Sequence, residues 1–260
     1  MNQDVVKKNF SKAAVFYDEY AKIQKITAQK LIEKSVILSD GLKINHILEI
    51  GSGTGIYTQL LHASFPDAKI TALDFSSSMN KIAKSKIKST NIEFITENIM
   101  DFKANNKFDL ITANATLHWL PDLDEFLSKC KKKLTGEGAF LFSYFGAETC
   151  WELNSVLRKI LNVKNFTSSY FLERNSLYKM MKKHFQNIFF EENLHKEQFD
   201  TVLDLLKTIK YTGTRGLGLK QKIWTSDFIQ KVESEFLIEF EKVEITYQVF
   251  YVAGKLGQDI

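Results

Sequence analysis

The stretch that decides the fold is Ile47-Leu48-Glu49-Ile50-Gly51-Ser52-Gly53-Thr54-Gly55, together with the next apolar run, which ends in Leu73-Asp74. The pattern predicts a buried strand over residues 47–50, a glycine turn, and a helix over 57–64. Glycines in such a turn adopt positive φ without a Cβ clash and let the backbone approach a ligand closely. The helix after it offers unpaired N–H groups and a positive dipole end. Asp74, about twenty residues on at the end of a second strand, is placed to accept hydrogen bonds from ribose hydroxyls. These features describe a pocket for a nucleoside-containing cofactor.

The spacing separates the cofactor classes. Gly51, Gly53 and Gly55 sit one residue tighter than the dinucleotide pattern G-x-G-x-x-G, and Ile56 occupies the place of its third glycine. Glu49 precedes them, giving E-x-G-x-G-x-G, which resembles motif I of the class I S-adenosylmethionine (SAM) methyltransferases. An acid here suits a cofactor whose amino-acid end carries an ammonium and sits poorly beside a pyrophosphate. A ligand-free glycine turn and a nicotinamide or flavin site are the alternatives. The resemblance implies cofactor contacts from Glu49, Gly51, Ser52, Gly53, Gly55, Asp74 and Phe75. It also implies an apolar residue stacked on the adenine, for which Met79 is the candidate, with a helix-core role as its alternative. Asn98 and Ile99 follow the third strand, where many relatives carry Asp in place of Asn98 to accept from the adenine amino group.

Composition narrows the class. The chain has 260 residues, of which 44% are hydrophobic, enough for one α/β domain with a full core. Charged residues interrupt every apolar run well short of the roughly 18 residues of a membrane span. The first residues lack the apolar core of a signal peptide. Cys130 and Cys150 fall at no metal-ligand spacing, so no metal site and a reduced, cytoplasmic protein are expected. The net charge is +4, with 35 Lys and Arg residues of which only Arg158, Arg174 and Arg215 are arginines. Bidentate reading of nucleic acid usually needs more arginine, so no nucleic-acid partner is expected. The lysines are either a solvated surface or a basic patch that meets an acidic partner.

Strand patterns at 47–50, 69–73, 92–96, 108–113 and 139–144 alternate with helical patterns at 57–64, 77–86 and 123–134. This rhythm predicts a parallel sheet covered on both faces. Gly136 and Gly138 fit a turn after the last of these helices. Two regions lie outside that core. Residues 5–35 read as one or two amphipathic helices, with Phe10, Ala14, Tyr17 and Ala21 at helical spacing. Between the late strand patterns 187–191 and 245–253 come about fifty residues with helical patterns at 199–210 and 226–240. An insertion of that length is commonly a lid or a docking surface. The expected organisation is a single domain over 1–260: an N-terminal helical cap (1–40), a core (41–195), a helical lid insertion (196–240) and a last strand (241–260). The expected fold is α/β, a Rossmann-like class I methyltransferase with a seven-stranded, mostly parallel sheet.

After the fourth strand comes Ala113-Asn114-Ala115-Thr116-Leu117-His118-Trp119-Leu120, at the sheet end where open α/β folds bind ligands. Asn114 lacks the Pro-Pro-aromatic sequel of enzymes that methylate adenine or glutamine amino groups. His118 is a candidate general base or, equally, a packing residue beside Trp119.

Further segments resemble one family, the malonyl-acyl-carrier-protein O-methyltransferases of biotin synthesis. They are Ala13-Ala14-Val15-Phe16-Tyr17-Asp18-Glu19-Tyr20-Ala21-Lys22-Ile23-Gln24, Asn114–Trp119, Phe145–Leu153, Leu205–Gly213 and Ile245–Tyr251. The match spans nearly the whole chain, and the N-terminal and lid segments are more specific than motif I. Thr214 departs from the Ala that often follows the lid glycine. The resemblance implies SAM as cofactor, methylation of the free carboxylate of malonyl-acyl-carrier protein or malonyl-CoA, and an acidic carrier as partner. Tyr17 and Gln24, at i and i+7, are expected to line the pocket mouth on one helix face, with Asn114 at the cofactor and Trp119 at the substrate. Lys207, Lys210 and Arg215, with Lys220 and Lys222 close by, are expected to form the docking surface. A carboxylate with a pKa of roughly 3–4 is already ionised at neutral pH and needs no base. The rivals are another small-molecule methyltransferase, acting on a carboxylate such as trans-aconitate or on a quinone carbon, and a non-catalytic SAM-binding module.

Overall fold

The computed structural model describes residues 2–39, 41–104, 106–161, 171–214 and 224–256. Its centre is the strand predicted from motif I. Strand β1 (His46–Ile50) lies between β2 (Lys69–Asp74) and β4 (Phe108–Ala113), both parallel to it, with Ile47 opposite Ile70 on one side and Leu110 on the other. A strand paired on both sides in a parallel sheet is covered on both faces, which is why 47–50 is continuously buried rather than alternating. Strand β3 (Ile92–Thr96) closes one edge beside β2, and β5 (Leu134–Phe145) follows β4. The last two strands, β6 (Gln186–Phe199) and β7 (Val243–Lys255), run antiparallel to each other, and β7 inserts antiparallel between β5 and β6. The order β3-β2-β1-β4-β5-β7-β6 is the class I methyltransferase sheet, mostly parallel with one reversed strand.

Gly136 and Gly138 are corrected from a turn to strand positions. β5 starts directly after the preceding helix, and its pairing with β4 shifts register between Phe108 and Leu110. A Cβ at Gly138 would lie 2.9 Å from the Phe108 carbonyl, so the close approach of the two strands requires the glycine.

The N-terminal cap makes three helices rather than one or two. Helix α1 (Gln3–Ala13) is capped by the Asn2 side chain, which accepts from the N–H groups of Asp4 and Val5. A turn closed by Phe16 N–H on the Ala13 carbonyl separates it from the single-turn α2 (Tyr17–Tyr20). Ala21, at ψ 47°, then redirects the chain into α3 (Lys22–Leu38), which buries Ile23, Ala28, Leu31 and Ile32. The expected stripe of Phe10, Ala14, Tyr17 and Ala21 is therefore divided among separate segments.

Helices α4 (Ile56–Ser64), α5 (Ser77–Lys86) and α6 (Leu123–Lys133) follow β1, β2 and β4 as the sequence predicts. Between β5 and β6 lie α7 (Trp151–Leu161) and α8 (Arg174–His184), neither of which the sequence pattern singles out. Strand β6 runs on to Phe199, past the expected end of the core at residue 195. The insertion then supplies α9 (Val202–Tyr211) and α10 (Ser226–Phe240). Helix α9 rests on the cap: the Tyr211 ring meets Phe16 at 4.8 Å and Tyr20 at 4.7 Å between centroids. Gly213, at φ +75°, lies so close that a Cβ would come within 2.5 Å of the Phe10 ring. Helix α10 packs on α7, where Lys159 bridges Glu235 and Glu239. No described helix is long and apolar enough to cross a membrane.

Candidate active site

The motif I turn is fastened to the end of β2 by its own backbone. The N–H groups of Gly51 and Ser52 both donate to the Leu73 carbonyl, at 2.7 and 3.0 Å, and Gly53 N–H donates to Asp74 Oδ2 at 2.9 Å. Asp74 Oδ1 accepts from Ser76 N–H at 2.7 Å. Burial pushes this carboxyl up to about 6, and the two backbone bonds oppose the shift. The carboxylate is thus locked at the strand end, with lone pairs left over on both oxygens.

Gly51, Gly53 and Gly55 all have positive φ, at +69°, +55° and +87°, but only two of them face a cavity. A Cβ at Gly51 would collide with Thr116 at 2.3 Å, and one at Gly55 would meet Ile87 at 2.7 Å. At Gly53 nothing comes closer than the Gly51 carbonyl, 4.0 Å away. The space over Gly53 is therefore open, and it belongs to a cavity that reaches the solvent.

That cavity gathers most of the expected residues: Tyr17, Gly51, Gly53, Asp74, Phe75, Met79, Asn98, Ile99, Asn114 and Trp119. Gln3, Phe10, Glu97, Ala115, Thr116 and Leu120, none of which the sequence pattern marks as a cofactor or substrate contact, line it as well. Phe10 is the centre of the roof, its ring 5.6 Å from Trp119, 6.3 Å from Tyr17 and 6.4 Å from Phe75. Gln3 donates to the Trp119 carbonyl at 2.5 Å. Phe10 and Gln3 stand two helical turns apart, a signal present in the sequence but not distinguishable there from ordinary core spacing.

The cap is held down by polar ties. Asp18 accepts from the Thr54 hydroxyl in the motif I turn and from Lys86 of α5, and Ser11 bonds Ser76 at 2.8 Å. Asn114 joins cap to sheet, its Nδ2 donating to the Gln24 carbonyl at 2.9 Å while its Oδ1 accepts from Ser143 at 2.7 Å. Ala115, at φ +48°, carries the chain sharply away from β4 at this point. Asn98 Oδ1 already accepts from Met100 N–H at 3.0 Å, so its carbonyl has one acceptor direction left. Tyr17 is half-buried, and burial, then the Asp74 and Asp18 carboxylates, push its phenol above its usual range. It stays protonated and is a donor.

Several expected residues lie elsewhere. Glu49 is buried behind the cavity wall with one carboxyl oxygen unpartnered, and burial raises it to about 8. Ser52 is turned into α5, its hydroxyl 3.4 Å from Asn80 Oδ1. Gly55 serves the packing of α4 against α5. Gln24 is buried and does not share a helix face with Tyr17, because the chain breaks at Ala21 between them; it offers a backbone carbonyl rather than its amide. His118 is enclosed by Trp119, Tyr144, Phe145 and Phe171, with Nδ1 3.5 Å from Phe145 N–H, and lines no part of the cavity. Burial lowers it to about 3, so it is neutral at physiological pH. Lys207 pairs with Asp204 at 2.8 Å and Lys210 lies over the Tyr211 ring, so these two are not an unengaged basic cluster. Arg215, Lys220 and Lys222 lie outside the described residues.

The buried Glu49 gives a pH prediction. In the folded chain it holds its proton up to about pH 8, whereas an unfolded glutamate releases it near its ordinary value of 4.5. The native state therefore binds the extra proton between these values, and stability falls as pH rises through that window. The melting temperature of wild type is expected to drop by several degrees relative to Glu49→Gln between pH 5 and pH 8. A difference between the two proteins that does not change with pH contradicts this.

Comparison with known proteins extends the site to a family. A family described as "Methyltransferase domain" matches residues 48–142, from β1 to β5. Malonyl-acyl-carrier-protein O-methyltransferase 2 of Ilyobacter polytropus is 34% identical over 96% of this chain and 97% of its own length. The O-methyltransferase of the same name from Acetivibrio thermocellus is 30% identical over 98% of this chain and 94% of its own. The chain belongs to the malonyl-acyl-carrier-protein O-methyltransferase family. It is a SAM-dependent methyltransferase, and the match includes the cap and the insertion as well as the generic domain. Among solved structures, the YcgJ protein of Bacillus subtilis superposes with a TM-score of 0.62 at 14% identity, covering 88% of this chain and 100% of that one. The plantazolicin methyltransferase BpumL in complex with SAH gives 0.52 at 13% identity, over 97% and 89%. These two establish the shared fold.

Proposed function

We propose that the protein transfers a methyl group from SAM to the free carboxylate of a malonyl thioester carried by acyl carrier protein. The observation that carries this reading is the identity of 34% to a relative of that name over 96% of the chain, cap and lid included. The product is a methyl ester, which masks a charge so that chain-elongating enzymes accept the primer on the way to the pimeloyl portion of biotin.

The cavity fits the cofactor. The open space over Gly53 admits a backbone-hugging ligand, and Asp74 stands beside it with unused lone pairs for ribose hydroxyls. Phe75, Met79 and Ile99 offer apolar surface for a purine, and Asn98 an acceptor. When bound, SAM supplies an electrophilic methyl on a sulfonium.

What the chain must do is hold the substrate oxygen in line and keep water out. Positioning of this kind is worth about 7–11 kcal/mol in favourable cases. Tyr17, protonated and at the cavity, is the donor to the substrate carboxylate in this reading, and Phe10 and Trp119 form an apolar roof over it. No proton has to be removed, so a neutral His118 outside the cavity is consistent with the chemistry. Tyr17→Phe is expected to lower kcat by about tenfold, the value of one hydrogen bond to a charged group, with little change in melting temperature. An unaltered rate would show that the hydroxyl serves only to pack the cap.

Selectivity tests the substrate. With labelled SAM, malonyl-pantetheine is expected to be methylated far faster than acetyl-pantetheine, trans-aconitate or a quinone. Preference for either of the last two replaces this reading with the corresponding rival, and SAM binding without transfer to any acceptor leaves a binding module.

A further inference from the structure

We infer that the acidic carrier docks on the outer face of α1, and not on α9. This rests on the proposed carrier-bound substrate. Helix α1 contributes Gln3 and Phe10 to the cavity. Lys7 falls on the same stripe, four residues after Gln3 and three before Phe10, yet it is exposed, which puts it at the cavity rim. Lys8 and Lys12, at i and i+4, are exposed on the helix's outer side. None of the three has a carboxylate partner among the described residues. Helix α5, joined to α1 through Ser11 and Ser76, adds exposed Lys81 and Lys84, likewise without acidic partners among the described residues. Asp4 and Glu19 are the exposed acids on α1 and α2.

Other lysines are less suited. Lys207 is already neutralised by Asp204, and Lys210 is engaged with Tyr211. Exposed Lys131, Lys132 and Lys179 lie on α6 and α8, and neither helix lends a residue to the cavity. A carrier presents its acyl group on a tethered arm, so its docking face must adjoin the cavity. Among the described residues, the basic face that does so is that of α1. Single exposed charges contribute little, but a cluster steers an oppositely charged partner and is screened by salt.

The test is a titration of fluorescently labelled holo acyl carrier protein, at low salt, into wild type, Lys8→Glu/Lys12→Glu and Lys207→Glu/Lys210→Glu. The α1 pair is expected to weaken binding by about tenfold and the α9 pair by less than about threefold, with wild-type affinity falling as salt rises. KM for the malonyl-loaded carrier should rise in parallel while turnover of malonyl-pantetheine by the α1 pair stays at the wild-type level. Unchanged carrier affinity in the α1 pair, a larger loss in the α9 pair, or an equal loss with malonyl-pantetheine overturns the assignment. Failure of wild type to methylate any malonyl thioester would instead overturn the proposed reaction, and the carrier titration would still judge the docking face.

Discussion

Asp74→Ala is expected to weaken SAM binding by about ten- to a hundredfold while the fold survives. A charge-assisted hydrogen bond contributes on the order of 1.5–3 kcal/mol, and Asp74 is the carboxylate at the cavity whose position is fixed by two backbone donors. Because burial holds it up to about 6, it accepts fully only above that pH. Affinity in the wild type should therefore fall as pH drops through about 6, and the alanine variant should lose that dependence. Calorimetric titration across this range reads both effects. An unchanged dissociation constant removes Asp74 from the site.

Gly53→Val should abolish detectable cofactor binding. The three motif I glycines look alike in sequence, but the structure gives them different tasks. At Gly51 and Gly55 a side chain would strike Thr116 or Ile87, so substitution there damages packing first. At Gly53 the added atoms enter the cavity. The positive φ costs a non-glycine residue roughly 1–2 kcal/mol, a modest fall in melting temperature. Loss of binding in a folded Gly53→Val, with Gly51→Val and Gly55→Val aggregating or melting much earlier, is the expected pattern. Normal SAM affinity in Gly53→Val would mean that the ligand does not lie over this turn.

The sequence legibly specified what depends on local pattern. A continuous apolar run, a glycine turn and an acid at the next strand end are all short-range signals, and β1, β2 and Asp74 stand where they predict. The cap was harder, because Phe10, Ala14, Tyr17 and Ala21 keep helical spacing through two breaks that no glycine or proline announces. That hidden break at Ala21 separated Gln24 from Tyr17. The roles of Glu49, Ser52 and His118 depend on which way a side chain points from a strand or turn, which adjacency in sequence does not state. Phe10 and Gln3 reach the cavity only because the cap folds back over the sheet, a long-range fact fixed by ties such as Asp18 to Thr54 and Asn114 to the Gln24 carbonyl. Helix α8, with only Leu177 and Met181 buried, has too thin an apolar stripe to stand out among its polar residues.

The decisive measurement is transfer of label from methyl-labelled SAM to malonyl-acyl-carrier protein by the purified wild-type chain. Label is expected on the carrier and is released by mild alkali as volatile methanol, the product of methyl-ester cleavage, in amounts that track S-adenosylhomocysteine formed. Turnover of SAM with label on another acceptor, or none on the malonyl group at saturating cofactor, would contradict it.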